Sequence, residues 1–107
     1  MSHRFKRNVK NLQKLYKSTN QTKRKLIGNA SPDLIGAICD CASNIKKGNV
    51  PLTTKHFNQL KKYQKHINTL TTKVSQKKKK HILQQGGFLG TLLKPIAQLL
   101  LGGLLPK

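Results

Sequence analysis

Few side chains in this sequence have the chemistry to make or break bonds. The 107 residues include two carboxylates, Asp33 and Asp40, two thiols, Cys39 and Cys41, and four imidazoles, His3, His56, His66 and His81. General acid–base catalysis needs a carboxylate or a histidine held in place by a partner. Asp33 follows Ser31-Pro32, so it suits a helix start, where its charge meets the positive end of the helix dipole. The histidines are scattered, with no i, i+4 pair for zinc. Cys39 and Cys41 have no second Cys/His pair at metal-site spacing. On a helix the two thiols point about 200° apart, which argues against a disulfide and for two small buried hydrophobes. No glycine motif of the phosphate-cradling kind is present. The reading is a non-enzyme with no catalytic residue, no metal and no cofactor. Reduced thiols suit an intracellular or nuclear setting. Met1-Ser2-His3-Arg4 leads into no apolar stretch, so no secretory signal peptide is expected.

The abundant chemistry is positive charge. Lys and Arg number 22 against two acids, a formal charge of +20. Such an excess opposes compaction unless a partner supplies counter-charge. Double-stranded DNA, with about one charge per 1.7 Å of axis, is the expected partner, and this charge would cover roughly ten base pairs. The charge is not uniform. Residues 1–26 hold nine cations, namely Arg4, Lys6, Arg7, Lys10, Lys14, Lys17, Lys23, Arg24 and Lys25. Residues 27–50 hold only Lys46 and Lys47, together with both acids. Residues 51–80 hold nine more, including Lys61, Lys62, Lys65 and Lys73 and ending in Lys77, Lys78, Lys79 and Lys80. These two basic segments are the candidate nucleic-acid contacts. Lysine is a point charge rather than a bidentate fork, so phosphate contact is expected over readout of base sequence. With no tryptophan and 5% aromatic residues, neither a large core nor a base-stacking platform is expected.

The elements that must position these charges read as helical. Phe5, Val9, Leu12 and Tyr16 share one face of a 3.6-residue period. Two readings of residues 1–28 stay open: an amphipathic helix, or a solvated basic arm that orders on binding. Ser31, Pro32 and Asp33 form a start signal, and Leu34, Ile38, Cys41 and Ile45 then line a face beside Ile35 and Ala42. Lys46 and Lys47 suit the end of this helix and Gly48 its stop. After a turn at Gly48-Asn49-Val50-Pro51-Leu52, Thr53 or Thr54 caps a third helix. Its stripe is Leu60, Tyr63, Ile67, Leu70 and Val74 at heptad spacing, with Phe57 one turn earlier. The fold class is mainly α: a helical hairpin over 29–76, or a three-helix cluster if the first segment joins it. Leu60, Tyr63, Ile67 and Leu70 offer an alternative use as a self-association seam. Residues 77–85 read as a basic linker.

From Gly86 the composition turns apolar: Phe88, Leu89, Leu92, Leu93, Ile96, Leu99 and Leu100 dominate 86–107. Lys94 and Pro95 interrupt a stretch that would need about 20 apolar residues to span a bilayer. The expected role is a short helical tail at a membrane surface or against a capsid or other protein partner. A fold-back that completes the core is the other reading.

Lys77-Lys78-Lys79-Lys80, Gln84-Gln85-Gly86-Gly87-Phe88-Leu89 and Leu92-Leu93-Lys94-Pro95-Ile96 together resemble adenovirus core protein X (mu), and more closely the X-like proteins of adintoviruses and Polinton elements. The resemblance covers roughly the last third of the chain. It implies a virion-core protein that condenses double-stranded DNA, located in the virion and the host nucleus. It also implies processing by a viral protease at Gly-Gly sites, here Gly86-Gly87 and Gly102-Gly103. The family pattern prefers an aliphatic residue two places before the glycines. Leu100 meets it and Gln84 departs from it. The family body is also Arg-rich where this one is Lys-rich. The alternative functions are a membrane-active basic peptide precursor, acting through the tail, and an RNA-binding assembly protein.

Overall fold

The computed structural model describes residues 3–85 and 87–96. The described residues form eight α-helices and a short 3-10 turn, and no strand. Four starts are set by a hydroxyl that accepts a backbone N–H three residues on. Thr19 opens α3 (Asn20–Gly28), Ser31 opens α4 (Pro32–Lys46), Thr53 opens α5 (Thr54–Lys61) and Ser75 opens α7 (Gln76–Leu83). Gly48, at φ 78°, ends the α4 region in a left-handed conformation that favours glycine.

The helix expected from Phe5 to Tyr16 is two helices, α1 (His3–Arg7) and α2 (Val9–Lys17). Asn8 breaks it. Its Nδ2 donates to the Arg4 carbonyl and to Asp33 Oδ2, each at 2.8 Å, so the side chain competes with the helical ladder. Phe5, Leu12 and Leu15 are buried, so residues 3–28 are not a detached arm. The helix expected from Thr54 onward is also divided, into α5 and α6 (Gln64–Leu70). The Tyr63 amide turns back to Leu60 O, three residues away, and the two pieces face different neighbours: α5 packs on α8 (Phe88–Leu93) and α6 on α4.

α4 is the hub, packed against α1, α2, α6 and α7. Leu34, Ile35, Gly36, Ala37, Ile38, Cys41, Ala42 and Ile45 are all buried along it. A helix apolar on nearly every side belongs in a core, and this one stands there. The face read from the sequence is part of that wider surface.

Two assignments made C-terminal to α4 are overturned. Residues 77–85 are not a linker, because α7 occupies most of them and buries Ile82 and Leu83. The expected tail is part of the core as far as it is described. Phe88, Leu92, Leu93 and Ile96 are 0% exposed and Leu89 2%. Phe88 packs its ring against Tyr63 and His66 of the α5–α6 segment, with centroids 5.1 Å apart in each pair. Gly87, at φ 80°, makes the left-handed turn into α8. The physical reason is area: a chain this short needs every apolar side chain it can bury. Leu99, Leu100, Gly86, Gly102 and Gly103 lie outside the described residues. The self-association seam is likewise occupied from within, since Leu60, Ile67 and Leu70 are buried in the common core and Tyr63 packs against it.

Candidate nucleic-acid interface

The two acids decide which cations remain for a partner. Asp40 accepts a two-pronged contact from Arg4, at 3.1 Å from Nε and 3.2 Å from Nη2. Asp33 accepts a second from Arg7, at 3.3 Å from Nε and 2.9 Å from Nη2. The hydrogen bonds from Arg7, then that from Asn8, hold the Asp33 carboxyl below its usual range. Arg4 also lies across Gly36, where a built Cβ would come within 2.8 Å of the guanidinium carbon, so glycine gives it room. Both side-chain carboxylates of the chain are therefore engaged by arginines of α1. Arg4 and Arg7, expected on phosphate, clamp α1 to α4.

Lys23 leaves the expected set. It is 9% exposed, its ammonium donates to the Ser18 carbonyl, and burial pushes its pKa down. That bond ties α3 to the end of α2. Lys80 is half-buried and donates to the Gly28 carbonyl at 3.2 Å, a cation at the negative end of α3.

The other expected contacts are placed on the surface. Lys6, Lys10, Lys14 and Lys17 are exposed along α1 and α2, and Arg24 and Lys25 along α3. Lys61, Lys62 and Lys65 are exposed around the α5–α6 junction, with Lys73, Lys77 and Lys78 beyond it, and Lys79 is half-buried. α3 and α7 pack together, which puts the basic segment before residue 26 beside the one ending at residue 80. Gln84 reinforces that junction through a 2.9 Å bond to the Arg24 carbonyl. No spacing in the sequence announces this pairing. Lys55, in the second basic segment, is exposed too, and the structure adds Lys46, Lys47 and Lys94 to the exposed cations.

The thiols are placed for packing. Cys41 is fully buried, and burial pushes its pKa up to about 12. Burial raises Cys39 as well. Among the described residues, no three His, Cys, Asp or Glu side chains gather as a metal site. No helix among them is long and apolar enough to cross a membrane.

Compared with known proteins, the chain matches no family model, no curated protein and no solved structure.

Proposed function

We propose that this protein condenses double-stranded DNA by sequence-independent neutralisation of phosphate. One observation carries the reading: the two acidic side chains each hold an arginine of α1, while far more numerous lysines stand exposed on α1, α2, α3, α5, α6 and α7. Lysines on α1, α2, α3, α5, α6 and α7 then displace cations along the duplex, and release of those counterions drives binding. DNA in turn supplies the counter-charge that a +20 globule needs. The resemblance to the X-like core proteins supports the same reading and adds the setting, a packaged genome in a virion core. The membrane-active alternative relies on Phe88, Leu89, Leu92, Leu93 and Ile96 as effectors, and these side chains are buried.

Gel shifts with several unrelated duplexes across a salt series test the proposal. If six to ten phosphates are contacted, affinity falls about 10³- to 10⁵-fold between 50 and 200 mM salt. Lys10→Ala lowers the log–log slope by about 1, as loss of one phosphate contact should. Lys23→Met leaves the slope unchanged, because that ammonium faces Ser18. Binding insensitive to salt, or strong preference for one duplex, overturns the proposal.

A further inference from the structure

Phe57 is the one large hydrophobic side chain exposed among the described residues, at 51%. It stands on α5, and the Lys61 ammonium lies 5.6 Å from its ring centroid. It forms one wall of an open groove of about 350 Å³ between the end of α4 and the α5–α6 segment. The groove has an apolar lining from Ile45, Leu52, Leu60 and Ile67. Two side-chain amides, Gln64 and Asn68, line it as well. Among the described residues Lys46 and Lys61 complete the lining, and no carboxylate is part of it.

We propose that this groove holds one unpaired nucleobase of a single-stranded nucleic acid. The inference rests on the proposed binding of nucleic acid and adds a second mode to it. An aromatic face takes any base by stacking, which needs no hydrogen-bond readout. The Phe57 ring supplies that face, and the apolar side chains shield the base from water. Gln64 and Asn68 each offer a donor and an acceptor to a base edge. Lys46 and Lys61 take the flanking phosphates. Charge complementarity favours this occupant, because cations line the groove and no acid does. Size agrees: the volume is near the lower end of ligand pockets, about 300–1,000 Å³, the scale of a nucleoside rather than of a docked helix. A base inside a duplex offers only its edges in the grooves, so duplex DNA makes no use of the Phe57 face. The scarcity of aromatic residues argued against a stacking platform, but a single exposed ring beside cations is enough for one base.

The test compares the full-length protein with Phe57→Ala and Phe57→Tyr on two probes, a fluorescein-labelled oligothymidylate and a labelled duplex of equal length, by anisotropy at one ionic strength. Phe57→Ala is expected to weaken single-strand binding about 5- to 150-fold, the weight of one base–aromatic stack. Duplex affinity stays unchanged, and Phe57→Tyr restores the single-strand value. A thermal melt checks that the variants remain folded, as expected for an exposed position. If the unmodified protein binds both probes and Phe57→Ala weakens neither, or weakens both equally, the base site is refuted while DNA binding stands. The groove is then open to an apolar segment of another protein. If the unmodified protein binds neither probe, both proposals fall.

Discussion

Removing residues 86–107 should unfold this protein rather than trim it. The described part of that segment buries Phe88, Leu89, Leu92, Leu93 and Ile96 at 0–2% exposure. Each such side chain contributes about 1.5–3 kcal/mol on burial, so the five together contribute roughly 8–15 kcal/mol as an upper figure. A domain of this size has a total stability of about 5–15 kcal/mol. The shortened chain, residues 1–85, therefore has little or no stability left. It also keeps nearly all the positive charge, since Lys94 and Lys107 are the only cations removed. Leu92→Ala provides a graded version of the same test. Leu92 is 0% exposed, so its truncation should cost about 2–5 kcal/mol and lower the melting temperature by about 10–30 °C. Lys94→Ala, an exposed neighbour, should change stability by less than about 0.5 kcal/mol. The assay is circular dichroism on heating, in salt high enough to screen the lysines from one another. A chain ending at residue 85 that melts as cooperatively as the full protein would refute the assignment of α8 to the core.

Two further outcomes follow from the titrating groups. Asp33 has a depressed folded-state pKa, so its contribution is present above the ordinary carboxylate value and is lost as pH falls through the folded value. Asp33→Asn should therefore lower stability near neutrality and flatten the loss of stability as pH falls below the ordinary carboxylate value, read from melts across the acid range. The buried thiols should resist alkylation in the native state, with Cys41 slower than Cys39 because only Cys41 is fully buried. Mass spectrometry of iodoacetamide-treated protein at pH 8 checks the order, and denaturation should make both react alike.

Processing at Gly-Gly, implied by the resemblance to X-like core proteins, takes on a structural consequence. Gly87 is the left-handed turn into α8. A cut there would sever the covalent link between α8 and the rest of the core, leaving packing alone to hold Phe88 and its neighbours in place.

The sequence by itself determined the helical class, the two basic segments and the best-capped helix. Ser31, Pro32 and Asp33 start α4 by local hydrogen bonding and dipole effects that need no tertiary partner. Charge and composition are likewise properties of the chain. Only the tertiary structure decided where helices break and which side chains remain available. Asn8 interrupts the first helix because Asp33, 25 residues away, shares its amide. Arg4 and Arg7 are paired with acids because α4 brings both acids to α1. Lys23 leaves the phosphate-contact set because its ammonium is buried against Ser18. The apolar segment after Gly86 resembled an anchor on composition, since composition does not say what covers a leucine. In the folded chain other core helices cover Phe88 to Ile96, and among the described residues the exposed large hydrophobic side chain proves to be Phe57. Long-range packing alone distinguishes a stripe that is buried from one that is free to bind.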